Sequence, residues 1–417
     1  DINPGSNGAF QVNISANLTN INGVLYFSAN DGINGYELWK SDGTELGTVL
    51  VKNIASSSSN SSPSSFTSLN SDVIFVCNDG INGVELWKTD GTETGTILLK
   101  DINHGSSNSL PRYLINFNNK VYFQAFDAVS GNEIWMTDGT TLNTVLQNDL
   151  YPGATDGLNN LTNMLVFNNE LYFRGRNLNS GFELFKTNGN LSDASLVSDI
   201  DGSSANGFVG RFLTANSNMI FFDGRISSQG TELWKSNGSS LGTTIVKDIY
   251  PGYEDGLEYE TIFSFIGQTL YFTGRNASGT ELWKSDGTST GTVLVKNIMI
   301  GSNSSDVLYM SNINGNLYFS ARQETVENKN YLWKSDGSAS GTQLVKDVNL
   351  RGMDGYAGNK IFECNNATFF AGNTNVNGWE IWKTDGTTSG TTLFLDLNFK
   401  SGSFPRKLTQ VQNKLFF

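Results

Sequence analysis

The sequence contains very little cysteine or histidine. Its 417 residues include two cysteines, Cys77 and Cys364, and a single histidine, His104. Two cysteines are too few for a disulfide framework, and we interpret both as buried small hydrophobic side chains. One histidine excludes any mechanism that needs a histidine pair.

Basic runs and long apolar runs are also missing. The formal net charge is −13, and no cluster of Lys and Arg offers phosphate contacts, so nucleic acid is not an expected partner. No apolar stretch reaches the roughly 18 residues that a membrane-spanning helix needs. The chain opens at Asp1 without a signal-peptide core, and we expect it to be a piece of a longer protein.

Glycine and aromatic residues are abundant instead. The chain has 45 Gly and 12% aromatic residues, while only 16% of its residues are charged. This composition is typical of a turn-rich, all-β protein and not of a helical one.

One eighteen-residue phrase occurs eight times. It first reads "ELWKSDGTELGTVLVKNI", and it returns at intervals of about 49 residues. The copies occupy residues 37–54, 85–102, 133–150, 183–200, 232–249, 281–298, 331–348 and 380–397. Such regular self-similarity indicates a repeat architecture.

Each repeat predicts four short strands. A weak alternating segment such as "LTNING" at Leu18 predicts strand A, and an aromatic segment such as "LYFSA" at Leu25 predicts strand B. The two halves of the eighteen-residue phrase predict strands C and D. Four strands in about 49 residues are typical of a propeller blade.

We therefore predict an all-β fold, an eight-bladed β-propeller of four-stranded antiparallel blades that forms a single domain over residues 1–417. Residues 398–417 begin a further A and B pair, up to "KLFF" at Phe417. They either complete the ring or start another blade.

The turn between strands C and D is the most constant part of the repeat. Every copy has Gly after Asp or Asn, and these residues favour a tight turn with a positive φ at Gly. A Ca²⁺ site is the alternative, but calcium loops place carboxylates at alternating positions and this loop has one Asp followed by Gly. We favour a structural turn, with no catalytic residue or resident metal. The turn residues that we single out are Asp42, Gly43, Asp90, Gly91, Asp286 and Gly287.

Two further positions of the phrase predict scaffold contacts. Trp39 and its equivalents supply one large flat side chain in nearly every repeat, which suits packing between blades. If Ser41 pairs with Thr48, then Glu37 lies opposite Lys52 and forms a cross-strand ion pair.

The candidate ligand-binding residues lie where the repeats differ. Four arginines in the fourth to sixth repeats are expected to bind an anionic partner such as an acidic glycan or a carboxylate. The alternative is that they are solvated cations that offset local acidic charge. Trp379 adjoins the eighth B–C loop, where it either stacks on a glycan or packs internally. The four arginines are Arg174, Arg176, Arg225 and Arg275.

The repeated motif resembles that of the bacterial ELWxxDGT repeat proteins. It stands as "ELWKSDGT" at Glu37 and Glu281 and as "ELWKTDGT" at Glu85. The resemblance implies a secreted or cell-surface protein of bacteria such as Bacteroidetes, often exported by type IX secretion through a C-terminal sorting domain. It implies no established catalytic activity.

From these features we expect a non-enzymatic, extracellular or cell-surface scaffold that binds or adheres to protein or glycan through its loop face. One alternative is a sialidase-like or other propeller glycoside hydrolase, in which the arginines hold a carboxylate. Another is a structural repeat module of a surface fibre or of a protein associated with a secretion system.

Overall fold

The structure is a computed structural model. It describes residues 2–4, 8–10, 18–56, 58–159, 164–202, 204–259, 261–323, 329–350, 361–374, 376–398, 402–405, 408–411 and 413–416. The seventh B–C loop "RQETVENKN" and the final Phe417 lie partly or wholly outside these residues.

All regular elements among the described residues are strands. They form eight four-stranded antiparallel sheets in chain order, which we name sheets 1 to 8, and one two-stranded sheet. The all-β prediction and the four strands per repeat are confirmed.

The strand bounds follow the repeats. Sheets 1 and 2 contain β1 (Thr19–Ile21), β2 (Val24–Asn30), β3 (Tyr36–Ser41), β4 (Val49–Lys52), β5 (Ser64–Leu69), β6 (Asp72–Asn78), β7 (Val84–Thr89) and β8 (Ile97–Lys100). Sheets 3 and 4 contain β9 (Arg112–Phe117), β10 (Lys120–Asp127), β11 (Gly131–Thr137), β12 (Val145–Asn148), β13 (Leu165–Phe167), β14 (Glu170–Asn177), β15 (Ser180–Thr187) and β16 (Ser195–Ser198). Sheets 5 and 6 contain β17 (Phe208–Ala215), β18 (Ile220–Ile226), β19 (Gly230–Ser236), β20 (Thr244–Lys247), β21 (Phe263–Ile266), β22 (Thr269–Asn276), β23 (Gly279–Ser285) and β24 (Val293–Lys296). Sheets 7 and 8 contain β25 (Leu308–Ile313), β26 (Asn316–Ala321), β27 (Tyr331–Ser335), β28 (Gln343–Lys346), β29 (Phe362–Cys364), β30 (Ala367–Thr374), β31 (Gly378–Thr384) and β32 (Thr392–Leu395), and the two-stranded sheet contains β33 (Thr409–Val411) and β34 (Lys414–Phe416).

The chain divides into two compact units. Unit 1 comprises Asp1–Asp199, Ser203–Ala205 and Thr409–Lys414, and so contains sheets 1 to 4. Unit 2 comprises Ile200–Gly202, Asn206–Leu408 and Leu415–Phe417, and contains sheets 5 to 8.

Within each unit, consecutive sheets pack against each other through apolar side chains. Between sheets 6 and 7, Leu282 and Val295 pack with Phe319 and Trp333 in one buried cluster. Strand B is buried along most of its length, as in Val24–Asn30 of sheet 1, because neighbouring side chains cover both of its faces. The repeated Trp fills space between sheets, as the sequence predicts.

Lysines of sheets 1, 5, 6 and 7 donate hydrogen bonds to the sheet that follows each of them. Lys284 Nζ of sheet 6 donates to the carbonyl oxygen of Gly337 in sheet 7 at 2.8 Å, and Lys296 Nζ donates to Thr342 O at 2.7 Å. The acceptors lie in the C–D turn and at its end. The bonds from Lys40 to Gly91, Lys235 to Gly287 and Lys334 to Gly386 repeat the first contact.

We expect Gly337→Ala to lower the free energy of unfolding by about 1–3 kcal/mol. Gly337 has a φ of +88°, and an added Cβ would overlap the hydroxyl of Tyr271 in sheet 6. Urea unfolding measures the loss. Gly301→Ala is the matched control, because Gly301 has a φ of +102° with nothing within 4 Å of an added Cβ. Equal losses in both variants would contradict the contact with Tyr271.

The predicted ion pair between Glu37 and Lys52 is wrong. Ser41 does contact Thr48 as assumed, at 2.7 Å between the hydroxyl oxygens. A register shift between Leu38 and Trp39, however, places Lys52 opposite Leu38. Glu37 turns inward instead, and Lys52 donates to the next sheet.

The two cysteines are free and buried, as the sequence predicts. Cys364 packs in a cluster of unit 2 with Ile381, Leu408 and Leu415.

Strand β33 belongs to unit 1, where Asn20 Nδ2 donates a hydrogen bond to Gln410 O of this strand at 2.8 Å.

Candidate functional site

The loops that join strand D of one sheet to strand A of the next are anchored by buried glutamates, the first residues of the repeated phrase. Glu133 is fully buried and accepts hydrogen bonds from the N–H groups of Leu150 and Gly157, at 3.0 and 2.8 Å. Gly157 O in turn accepts from the N–H of Arg176 at 2.8 Å. The loop is therefore fixed to strands B and C, and it places its side chains beside Arg176.

Arg176 is held between two aromatic rings. Its Cζ lies 5.2 Å from the ring centre of Tyr151 and 4.9 Å from that of Phe182, and its Nε donates to Asp156 O at 2.7 Å. Among the described residues, no carboxylate forms an ion pair with Arg176. The rings and the Nε bond orient the guanidinium, which presents planar donors suited to a carboxylate.

Arg275 in sheet 6 repeats this arrangement with one difference. Its Cζ lies 5.2 Å from the ring centre of Tyr250, and its N–H donates to Gly256 O at 2.8 Å. Two carboxylates of the same loop flank its guanidinium: Glu254 Oε2 is 3.7 Å from Nη2, and Glu258 Oε1 is 3.5 Å from Nε.

The two loops differ in sequence at the positions of these carboxylates. "YPGATDGLN" of residues 151–159 aligns with "YPGYEDGLE" of residues 250–258 without a gap. Thr155 therefore stands where Glu254 stands, and Asn159 stands where Glu258 stands. The chain supplies its own carboxylates to Arg275 and supplies none from those positions to Arg176.

Two other arginines occupy the same register in strand B. Arg225 Nη1 lies 3.3 Å from Asp255 Oδ1, so Arg225 and Arg275 pair with carboxylates of one loop in unit 2. Arg322 Nη2 lies 3.2 Å from Asp306 Oδ2. Arg322 was not among the residues predicted from the sequence, although "LYFSAR" aligns with "LYFTGR". In these sheets the arginines offset local acidic charge, which was the alternative interpretation.

Arg174 and Trp379 are more buried than expected. Arg174 is 5% exposed and lies over Phe182, with 4.1 Å between its Cζ and the ring centre. Trp379 is 4% exposed, and its carbonyl oxygen accepts from Ser403 N at 2.8 Å. Of the two interpretations of Trp379, internal packing fits the structure, because its indole is covered and the following loop bonds to its backbone.

The C–D turns satisfy their polar groups internally. In sheet 1, Asp42 Oδ1 accepts from the N–H and hydroxyl of Thr44, and Thr44 Oγ1 accepts from Gly47 N. These bonds, the Thr44 hydroxyl first, lower the pKa of Asp42. The Thr92 and Thr288 hydroxyls do the same for Asp90 and Asp286. The φ angles are +86° at Gly43, Gly91 and Gly287.

The described residues lack a cluster of metal-binding side chains and a membrane-spanning helix. They contain no group of three or more His, Cys, Asp and Glu side chains placed to hold a metal ion. They also contain no helix long and apolar enough to cross a membrane.

Comparison with known proteins gives structural similarity only. No family model and no curated protein matches the chain. One similar solved structure comes from a structural and mechanistic study of two prolyl endopeptidases; it is 10% identical, with a TM-score of 0.44, and the match covers 80% of this chain and 49% of that one. Another is a puromycin hydrolase complexed with PGG, 9% identical, with a TM-score of 0.41 and coverage of 86% and 58%. The chain thus spans about half the length of these structures.

The sequence-based expectation of a non-enzymatic scaffold is contradicted by this comparison, because both similar structures are enzymes. That expectation rested on the even repeats and on the lack of a convergent catalytic set, and neither feature distinguishes a scaffold from part of an enzyme. The resemblance to the ELWxxDGT repeat family and the extracellular location stay predictions.

Proposed function

We propose that the eight sheets are the blades of a β-propeller and that its D–A loop surface recognises the carboxylates of an acidic ligand at Arg176. The packing of consecutive sheets in each unit supports the first part. The second part is supported above all by the pair of equivalent loops, in which the chain's own Glu254 and Glu258 flank one arginine while their counterparts at the other are Thr155 and Asn159.

The local geometry favours binding at Arg176. A guanidinium held by Tyr151, Phe182 and Asp156 O loses little side-chain freedom when a ligand arrives, so less binding energy is spent on ordering it. The aromatic faces also leave the charge incompletely solvated. A carboxylate that forms charge-assisted hydrogen bonds compensates for that loss. At Arg275 the ion pairs with Glu254 and Glu258 supply the negative charge from within the chain.

We expect Arg176→Ala to weaken binding of a labelled tetraglutamate peptide by about ten-fold or more, the loss of one charge-assisted contact. Fluorescence anisotropy measures the affinity, and a tetraglutamine peptide is the ligand control. Arg275→Ala is the matched protein control and is expected to leave the affinity within about two-fold, because the partners of Arg275 belong to the chain. Mass spectrometry of the same samples shows whether the peptide is hydrolysed as well as bound.

A variant that adds carboxylates beside Arg176 tests the same proposal, because these carboxylates would compete with those of the ligand. Thr155→Glu with Asn159→Glu gives the Arg176 loop the carboxylates of the Arg275 loop and is expected to abolish binding. Leu46→Glu with Leu142→Glu adds the same charge at exposed turn positions and controls for general repulsion. The proposal fails if the native chain does not bind tetraglutamate, if Arg176→Ala binds as the native chain does, or if the two double variants behave alike.

A further inference from the structure

Gln147 is a buried polar residue at a position where the other repeats carry an apolar side chain. It lies on β12, strand D of sheet 3, and it is fully buried. The seven equivalent residues are all Val, Leu or Phe, as at Val51 and Leu99. Because a buried amide costs free energy unless it is hydrogen-bonded, Gln147 needs partners that its equivalents do not need.

The partners of Gln147 lie in sheet 4, in the C–D turn and at its start. Its Nε2 donates to Asn190 O at 2.6 Å and lies 3.1 Å from Thr187 Oγ1. The carboxylate oxygen Oδ1 of Asp193 is 3.2 Å from the same nitrogen. In addition, the N–H of Ser192 donates to Gln147 O at 2.8 Å. One residue of sheet 3 therefore holds the whole turn of sheet 4.

This turn differs from the other seven C–D turns. In those turns the hydroxyl of a C-strand Ser or Thr bonds to the hydroxyl of a Thr at the end of the turn. The fourth repeat has Asp193 and Ala194 where the sixth has Gly291 and Thr292. Thr187 bonds to the carboxylate of Asp193 instead. The change in the turn thus supplies the acceptor that Gln147 uses.

Sheet 3 also lacks the two lysines that join other consecutive sheets. Lys284 and Lys296 of sheet 6 donate to the turn of sheet 7, whereas sheet 3 has Met136 and Asn148 at these positions. Asn148 Oδ1 accepts from the N–H of Ala194 at 3.3 Å. The unusual residues of sheet 3 and those of the fourth turn therefore meet in one contact.

We propose that sheet 3 and the fourth C–D turn form a matched pair that selects which repeat packs on sheet 3. A turn of the common type, with Gly and Thr in place of Asp193 and Ala194, would leave the buried Nε2 of Gln147 short of acceptors. In a chain of near-identical repeats, such a contact opposes the packing of a wrong repeat on sheet 3. The inference is independent of the proposed ligand site, because Arg176 and its loop take no part.

The test replaces the turn in the full chain. Residues 188–194, "NGNLSDA", are exchanged for "DGTETGT", the sheet 2 turn of residues 90–96. Because Gln147 loses the carboxylate of Asp193, we expect the folding equilibrium constant from urea unfolding to fall at least about ten-fold.

The control graft places the same "DGTETGT" turn at residues 336–342, "DGSASGT", in sheet 7. Both grafts add one negative charge, since the first gains an Asp and a Glu and loses Asp193, and the second gains a Glu. The control exchanges one common turn for another, beside the lysines of sheet 6. Its folding equilibrium constant is expected to stay within about three-fold of the native value.

A compensating double variant, Gln147→Val with Asn148→Lys, gives sheet 3 the D-strand residues of sheet 1, Val51 and Lys52. In the native chain it is expected to lower the folding equilibrium constant at least about ten-fold, because the fourth turn loses its partners. In the chain with the grafted turn, it is expected to restore the constant to within about three-fold of the native value. The four chains form a double-mutant cycle that measures the coupling between the sheet and the turn.

Two results would overturn the matched pair. One is a grafted turn that leaves the folding equilibrium constant within about three-fold of the native value. The other is a compensating variant that lowers the constant of the grafted chain as much as that of the native chain. If the grafted chain does not fold, circular dichroism of the grafted chain with the compensating substitutions decides: recovery of the folded state supports the proposal, and no recovery overturns it.

Discussion

Replacing Trp283 by alanine is expected to lower the free energy of unfolding by about 3–5 kcal/mol, the usual loss for a buried large aromatic side chain. Trp283 is 5% exposed and packs with Leu233 and Val246 of sheet 5 and with Phe272 of its own sheet. Its ring lies so close to Gly274 that an added Cβ there would be 2.8 Å from Trp283 Cδ1. Urea unfolding followed by circular dichroism measures the loss.

Trp283→Phe is the matched control, because the chain itself uses phenylalanine at this position in sheet 4. Phe185 is 1% exposed and packs in the cluster between sheets 3 and 4. A ring of this size preserves most of the contacts, so the loss for Trp283→Phe is expected to be less than half of that for Trp283→Ala. Equal losses for the two variants would show that the indole has a role beyond filling space.

Stability is expected to fall as the pH rises from about 5.5 to 7.5, because the loop-anchoring glutamates are buried. Burial raises the pKa of Glu133 from 4.5 to about 8, although N–H donors such as Leu150 lower it, and nearby Asp149 raises it further. Between these two pKa values Glu133 keeps its proton in the folded chain and releases it in the unfolded chain. Each pH unit in this window therefore costs up to about 1.4 kcal/mol per group. Glu232 and Glu281, with pKa values raised to about 8 and about 7, add to the effect.

Unfolding free energies at pH 5.5, 6.5 and 7.5 measure this dependence. Glu133→Gln cannot titrate, so its unfolding free energy is expected to fall less steeply with pH than that of the native chain. The difference in slope corresponds to at most one bound proton, about 1.4 kcal/mol per pH unit. The variant is also expected to be less stable at every pH, since an amide offers one acceptor oxygen where the carboxyl group offers two. Glu45→Gln, at an exposed turn position, is the control and should keep the native slope. A native stability that is flat or rising over this range would contradict the burial argument.

The strands could be predicted from the sequence because the same pattern recurs eight times. The aromatic B strand and the ELW strand stand out in each copy, and the Asp–Gly turn fixes where strands C and D meet. The pairing of Glu37 could not be predicted in this way. The bulge between Leu38 and Trp39 involves no Gly or Pro, so the sequence does not indicate the register shift that sends Lys52 to the next sheet.

The candidate site was predictable only in part. The arginine register could be read from the repeats, and a full alignment of the B strands would have included Arg322. What distinguishes Arg176 from Arg275 depends on which loop lies beside each of them, because Glu254 and Glu258 act on Arg275 from the preceding D–A loop. The sequence could not decide between the two interpretations of Trp379, because Ser403, which bonds to its carbonyl oxygen, lies more than twenty residues further along the chain.

The lysine contacts between sheets bear on how such a chain can change in length. Every described bond from a C-strand lysine to a turn glycine runs from one sheet to its successor, as from Lys40 to Gly91 and from Lys235 to Gly287. A repeat of this kind carries both the lysine that donates to the following sheet and the glycine carbonyl that accepts from the preceding one. Duplication or loss of such a repeat within unit 2, where Lys235, Lys284 and Lys334 form these bonds, therefore joins a matching donor and acceptor again. The third repeat is different, because Met136 stands at the lysine position.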